Sequence, residues 1–341
     1  MDHMALPRRM RTVGATLLSL LILGACLYIF RVDRHTLLRT WATLSGWYFL
    51  PAFALNLAML LARARRWQLI LISNPAEPRD LPFRRVFGVL TIGYLANQVF
   101  PAPTGEVTRA VVLARREDIT KVHVLSTIVV ERVLDALAIA PIILFVLIVI
   151  PLPAWLERLV LLAGLTLLGM AVAGVILHSQ REHLVEAGSA LIRGLSESVQ
   201  SRLAAYRESF REGLHILRDL RALTTVYALS LGAWVLQLAV LEMVTRSLHQ
   251  PLNLRLLVLL ILFSNAGTLL PFAPGNLGTF QALTMTSLAV FHVRPEVSFS
   301  IALAYQMVQF LPVAVFGLHN LWAGGMSMES VEEEVKESGA G

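Results

Sequence analysis

Two long stretches of the chain, residues 41–62 and 256–291, contain no charged residue. Uncharged apolar runs of about 18 residues or more are typical of membrane-spanning helices. Only 15% of the 341 residues are charged and 56% are hydrophobic, whereas soluble domains carry about 25% charged residues. The sequence therefore predicts an all-α polytopic membrane protein, and it excludes a soluble enzyme, a disordered chain and a collagen.

Full spans are predicted at residues 12–30, 41–62, 124–150, 154–177, 222–245 and 297–322. Two further apolar segments, the first hairpin (86–114) and the second hairpin (256–291), are broken in the middle. The breaks hold Pro101, Pro103 and Gly105 in the first hairpin, and Pro271, Pro274, Gly275 and Gly278 in the second. Each arm has about 15 residues, or about 22 Å of helix, against a hydrocarbon core of about 30 Å. Both segments are therefore predicted to be re-entrant helical hairpins.

The distribution of basic residues predicts the orientation of the chain. With the N-terminus in the cytoplasm, 21 Lys and Arg lie on the cytoplasmic side and seven on the outer side, while Arg132 lies within a span. The positive-inside rule then places both termini in the cytoplasm, with the two hairpins entering from opposite sides. Such opposed hairpins are typical of inverted repeats in transporters. The alternative is that Pro and Gly are simply frequent in membrane helices.

Residues 1–325 are interpreted as a single transmembrane domain. Residues 181–220 place apolar side chains at steps of three and four, which predicts an amphipathic helix on the cytoplasmic leaflet. A plain linker between the halves is the alternative. Residues 326–341 are rich in Glu and are predicted to be a disordered tail.

Charged residues inside an apolar zone are costly, so they are candidates for function. The candidates are Glu106, Arg109, Glu131, Arg132 and Asp135. The two arginines are expected to bind a lipid phosphate, oriented by the carboxylates. The alternative is that the pairs Glu106–Arg109 and Arg132–Asp135 only neutralise each other and hold the first hairpin.

The amides Asn97 and Gln281, next to the two breaks, complete the expected lipid-binding set. The alternative for Gln281 is a hydrogen bond between helices. No catalytic motif, metal-ligand spacing or nucleic-acid motif occurs, so no metal, cofactor or nucleic-acid partner is expected. The single cysteine, Cys26, indicates nothing about redox compartment.

Three motifs, in order, resemble the lysylphosphatidylglycerol synthase transmembrane-region family: PAPTGEVTR at 101–109, VERVLD at 130–135 and PFAPGNLGTFQ at 271–281. The resemblance covers about residues 12–323, and it places the five charged candidates on motif positions. It implies a helical fold with re-entrant helices in a prokaryotic cytoplasmic membrane. Gln281 stands where the family often has Glu. Without a C-terminal aminoacyl-transferase domain, the chain is not expected to synthesise lysyl lipid.

The resemblance implies lipid translocation, so the expected function is a flippase for a phospholipid or an isoprenoid-type lipid, hopanoid or polyprenyl-linked. Two alternatives stay open, an integral-membrane transferase and a non-catalytic partner of a lipid or glycolipid biosynthesis enzyme. The expected partners are the lipid substrate, a second copy of the chain in a homodimer, and such an enzyme.

Overall fold

The computed structural model describes residues 20–73, 80–100, 104–179, 215–268, 276–331 and 333. Within these ranges the regular structure is helical throughout, with no strand, which confirms the all-α prediction. The helices are α1 (Leu20–Ile29), α2 (Arg34–Ala42), α3 (Phe49–Leu71), α4 (Phe83–Val99), α5 (Gly105–Glu117), α6 (Lys121–Val149), α7 (Ala154–Ser179), α8 (Leu220–Ser247), α9 (Leu254–Thr268), α10 (Thr279–Ala289) and α11 (Pro295–Ala323).

Four helical segments are long and apolar enough to cross a membrane: Gly46–Leu71, Lys121–Val149, Leu220–Ser247 and Pro295–Ala323. The chain is therefore an integral membrane protein. The helix α7 matches the predicted span 154–177, and α1 is the described part of the predicted span 12–30. The span predicted at 41–62 starts and ends too early, because residues 41–42 belong to α2 and α3 continues to Leu71.

Both predicted hairpins consist of two short helices that pack against each other, α4 with α5 and α9 with α10. Their lengths of 17, 13, 15 and 11 residues correspond to about 16–26 Å, which is too short for a full span. Pro101, Pro103, Pro271, Pro274 and Gly275 lie outside the described residues. The second arms begin where expected, since Gly105 is the first residue of α5 and Gly278 precedes α10 with a φ of 87° that glycine adopts without strain.

The packing partners repeat between the two halves of the chain. The helix α3 packs along α8, and the second hairpin arms pack on the helices that follow them, α5 on α6 and α10 on α11. The first arms cross to the other half, with α4 on α11 and α9 on α6. Both α6 and α11 have 29 residues and an internal proline, Pro141 and Pro312. In this arrangement α4 and α9 are equivalent, as are α6 and α11, and such a correspondence is typical of an internal repeat.

The side chain of Asn56 on α3 supports the proline break in α11. Pro312 has no N–H, so the carbonyl of Val308 four residues earlier lacks its helical donor. The Asn56 Nδ2 group donates to that carbonyl at 2.8 Å. This contact replaces the missing helix bond and fixes which end of the Asn56 amide is the oxygen.

Two large apolar clusters form the core, and polar residues lie between them. Along α6 one cluster ends at Ile128 and the other begins at Ala138, and along α11 the boundary falls between Val308 and Val313. We call the layer between these boundaries the polar seam. No water is available at this level of the membrane, so buried polar groups have to bond one another and therefore lie together.

The acidic tail contacts the core where it starts. Residues 328–331 form a helical turn, and Val331 is buried in the apolar cluster that includes α4. The rest of the tail beyond residue 333 lies outside the described residues, as do residues 181–214 of the predicted amphipathic helix.

Candidate functional site: a buried arginine and carboxylate network

The helix α6 carries three of the charged candidates across the polar seam. Glu131, Arg132 and Asp135 follow the first residue of α6 by 10, 11 and 14 positions, which corresponds to depths of about 15–21 Å along the helix. Glu131 is fully buried. Such a depth leaves a carboxylate no route to water, so it requires cationic partners within the protein.

Two arginines each donate a hydrogen bond to one oxygen of the Glu131 carboxylate. Arg66 Nη2 donates to Oε1 at 2.6 Å, and Arg109 Nη2 donates to Oε2 at 2.6 Å. The exposed fractions of Arg66 and Arg109 are 2% and 0%. Charge-assisted hydrogen bonds of this length are the strong kind, so these bonds tie α3, α5 and α6 together at one carboxylate.

Arg66 also holds Asp135, one turn further along α6. Its Nη1 and Nη2 groups both donate to that carboxylate, and Nη1 donates to Ser230 Oγ on α8 at 2.9 Å. One guanidinium therefore joins three helices. This planar fork of donors is a geometry that lysine cannot provide.

Arg109 is held in place but incompletely bonded. Its guanidinium carbon lies 3.9 Å from the centre of the Trp67 ring, a cation–π contact, and Trp67 Nε1 donates to Thr127 Oγ1 at 3.1 Å. The Nε and Nη1 groups of Arg109 are buried and have no hydrogen-bond partner in the described part of the chain. A buried unpaired guanidinium donor is costly, so this position favours an anionic acceptor.

One edge of the network is open to the outside of the helix bundle. Arg132 is 46% exposed, and its guanidinium lies 3.1 Å from a Glu106 oxygen and 3.6 Å from an Asp135 oxygen. It shares a face of α6 with the exposed residues Leu125 and Val129. Because exposed leucine and valine on a spanning helix face lipid, the charged edge opens toward the membrane and not into a closed cavity.

The ion pairs of the network balance. Among the described residues they join three arginines (66, 109 and 132) to three carboxylates (106, 131 and 135). An incoming anion must therefore exchange with a carboxylate that is already bound or use the unpaired donors of Arg109.

The two amide candidates make equivalent hydrogen bonds from different arms of their hairpins. Asn97 Oδ1 accepts the backbone N–H of Gly105 at 2.7 Å, and Gln281 Oε1 accepts that of Gly278 at 2.7 Å. Each therefore satisfies a backbone donor at the start of a second hairpin arm. Gln281 Nε2 also donates to Gln306 Oε1 at 2.5 Å. Lipid contacts by these two amides stay predictions.

The five charged candidates do come together, but their pairing differs from the expectation. Arg132 and Asp135 form the expected pair. The pair expected between Glu106 and Arg109 is wrong, because Arg109 turns inward to Glu131 while Glu106 bonds Arg132 on the exposed edge. Asn97, near the end of α4, bonds the first residue of α5, the helix that carries Arg109, whereas Gln281 lies in the second hairpin.

Sequence reasoning missed Arg66, the residue with the most partners. It was counted among the cytoplasmic loop charges, because the span was ended at residue 62. A signal was present, since Ala52, Met59 and Arg66 are spaced by seven residues and all three are buried. Helical spacing therefore places Arg66 on the interior face of α3.

No group of three or more His, Cys, Asp or Glu side chains suited to a metal ion occurs in the ranges that the structure describes. The charged groups that the structure shows at this site are guanidinium and carboxylate groups. These groups bind and exchange an anion through hydrogen bonds and charge.

The fold and the site define a polytopic helical membrane protein with two broken hairpins and a buried ionic network. A family model described as the lysylphosphatidylglycerol synthase TM region matches residues 16–317, so the chain belongs to this family. The UPF0104 membrane protein MJ1595 of Methanocaldococcus jannaschii is 22% identical over 283 residues, which covers 79% of this chain and 82% of that protein. No solved structure is significantly similar to the chain. The family match confirms the resemblance indicated by the motifs.

Proposed function

We propose that the protein is a lipid transporter that moves a lipid with an anionic phosphate headgroup between the two leaflets. The observation that carries this proposal is Arg109, a fully buried arginine with unpaired guanidinium donors. It lies behind a charged edge that opens toward lipid. A phosphate oxygen is the acceptor that such donors favour.

The geometry suggests an order of contacts for the headgroup. A phosphate arriving from the lipid side meets Arg132 first and exchanges with its partners Glu106 and Asp135. It then bonds Arg109, while Glu131 keeps its second partner, Arg66. Glu131 and Asp135 both retain Arg66, and Glu106, which loses Arg132, is 30% exposed. The buried carboxylate is therefore never left without a partner, which is the costly situation in a membrane interior.

The two broken hairpins support movement in both directions. Broken helices near the midplane, in opposite halves of a repeat, give binding sites that either leaflet can reach in turn. A phospholipid or an isoprenoid-type phospholipid fits the site equally, because both present a phosphate with apolar chains. The acyl or isoprenoid chains stay in the bilayer beside α6, where exposed leucine and valine face lipid.

Transport is tested by replacing the phosphate-binding arginines. Purified protein is reconstituted in liposomes with an NBD-labelled phospholipid, and the label that reaches the outer leaflet is quenched with dithionite. We expect Arg109→Ala to slow lipid movement by about 10- to 100-fold, because each charge-assisted bond contributes about 1.5–3 kcal/mol. Arg132→Ala is expected to slow it less, because its guanidinium is half exposed.

The matched control is Arg246→Ala, which removes an exposed arginine that pairs with Glu242 at 2.6 Å outside the network. Its transport should equal that of the wild-type protein. Size-exclusion chromatography in detergent shows whether each variant is folded. If Arg109→Ala is misfolded, Arg132→Ala still tests whether the headgroup passes the charged edge of the network. Wild-type rates in both network variants would overturn the assigned site.

We infer that the protein lies in a prokaryotic cytoplasmic membrane with both termini inside, from the excess of Lys and Arg on that side. Single cysteines in a Cys26→Ser background test this orientation in whole cells. Asp118→Cys, in the exposed turn between α5 and α6, should resist a membrane-impermeant maleimide, whereas His249→Cys, in the exposed turn after α8, should react. The reverse pattern would invert the topology.

A further inference from the structure

A second, uncharged polar cluster lies in the protein where α3, α8 and α11 meet. Gln237 Nε2 and Gln309 Nε2 both donate to the Tyr305 hydroxyl, at 3.0 and 2.7 Å. Asn56 bonds the carbonyl of Val308 within the same turn of α11. We call these four side chains, Asn56, Gln237, Tyr305 and Gln309, the amide–tyrosine cluster.

The atoms left unpaired in this cluster are hydrogen-bond acceptors. Asn56 Oδ1 and Gln237 Oε1 are buried and have no partner in the described part of the chain. The exposed fractions of Asn56 and Gln237 are 0% and 4%. The orientation of the Asn56 amide is set by the Val308 carbonyl, which accepts only from the nitrogen. The network around Arg109 has the opposite need, because its unpaired atoms are donors.

The cluster lies along the same helices as the charged network. Gln237 follows Ser230, the Arg66 partner on α8, by two helical turns, or about 10 Å. Arg63 lies between Asn56 and Arg66 on α3 and interacts electrostatically with both Asp135 and Tyr305. The two sites therefore lie along the same helices, the charged network in the polar seam and the amide–tyrosine cluster next to it, in the apolar layer that includes Tyr305.

We propose that the amide–tyrosine cluster is a second headgroup site, which binds neutral hydroxyl groups of the transported lipid. Unpaired amide oxygens require donors, and a hydroxyl supplies one while also accepting from the Tyr305 hydroxyl. An ammonium group is disfavoured, because none of the four side chains of the cluster is a carboxylate that could neutralise its charge. The substrate class is thus a phospholipid with a hydroxyl-bearing headgroup, such as a glycerol or a sugar. This inference rests on the proposed transport function.

The test compares three NBD-labelled lipids in liposomes that contain the full-length protein: phosphatidylglycerol, phosphatidylethanolamine and phosphatidic acid. Gln237→Met keeps the length of the side chain and removes the amide, without touching the bond between Asn56 and Val308. We expect this variant to move phosphatidylglycerol about tenfold more slowly, the effect of one or two lost hydrogen bonds. Phosphatidic acid, which carries no hydroxyl headgroup, should move at the wild-type rate. The wild-type protein should prefer phosphatidylglycerol to phosphatidylethanolamine.

The matched control is Gln250→Met, the same substitution in the loop after α8. Equal slowing of phosphatidylglycerol and phosphatidic acid by Gln237→Met, or no slowing, overturns the second site while the transport function stands. If the wild-type protein moves none of the lipids, the transport function is wrong. In that case native mass spectrometry of bound lipid tests the second site separately. The site predicts that Gln237→Met retains less phosphatidylglycerol relative to phosphatidic acid than the wild-type protein does.

Discussion

Replacing Arg66 with methionine is expected to destabilise the protein by about 3–5 kcal/mol, the largest stability effect of any substitution discussed. The substitution keeps an unbranched side chain but leaves Asp135 with weaker partners and Glu131 with Arg109 alone. Removing one partner of a buried ion pair is costly because the remaining charge stays desolvated. The measurement is unfolding in detergent micelles titrated with sodium dodecyl sulfate and followed by circular dichroism.

The control for this prediction is Arg132→Met, which removes a half-exposed arginine from the same network. Its cost should be clearly smaller than that of Arg66→Met, because Asp135 keeps Arg66 and Glu106 is 30% exposed. Adding Asp135→Asn to Arg66→Met removes one uncompensated carboxylate and should recover part of the lost stability. Equal destabilisation by Arg66→Met and Arg132→Met would contradict the central role given to Arg66.

Replacing Gly93 with alanine is the second substitution expected to have a large effect. A methyl group at this position on α4 would lie 2.5 Å from Arg109 Cγ and 2.8 Å from the backbone oxygen of Gly105. Neither separation is tolerable, and the backbone atom cannot rotate away. We expect the free energy of unfolding to fall by about 1–3 kcal/mol from overpacking. Lipid transport should also be lost, because the added methyl group forces α4 and α5 apart and displaces Arg109.

Gly232→Ala on α8 is the matched control, since a methyl group there would meet no atom within 4 Å. Alanine is favoured over glycine inside a helix by up to about 1 kcal/mol, so this variant should be as stable as the wild-type protein or slightly more so. The same unfolding titration and the same liposome assay apply to both glycine variants. Normal transport by a folded Gly93→Ala protein would show that the close crossing of α4 and α5 is not needed.

Much of the fold could be predicted from hydropathy and helix breakers. The spans that became α6, α8 and α11 were placed within a few residues, because charged or proline-rich segments border them. The helix α2 was missed, since residues 31–40 carry three arginines and were treated as a loop. Asp33 caps that helix by accepting the Thr36 N–H at 2.8 Å, a local signal that hydropathy does not detect.

Five of the charged site residues could be predicted from the sequence, but Arg66 and part of the pairing could not. Spacing along one helix identifies partners three or four residues apart, such as Arg132 and Asp135. The bonds from Arg66 and Arg109 to Glu131 join residues 65 and 22 positions apart, and their existence depends on how helices cross. The amide–tyrosine cluster was missed for the same reason, because single amides in apolar helices are common and only the crossing of three helices brings these together.

The arginines that would bind the phosphate are fixed in place, and this has an electrical consequence. Arg109 is stacked on Trp67 and bonded to Glu131, whose second partner, Arg66, also bonds α8. Arg109 therefore does not travel with a lipid across the bilayer. A phosphodiester therefore crosses with its own negative charge, and the membrane potential acts on that charge with about 2.3 kcal/mol per 100 mV. In a cell with a negative interior, this voltage drives such a lipid outward, and collapsing the potential should equalise the two directions.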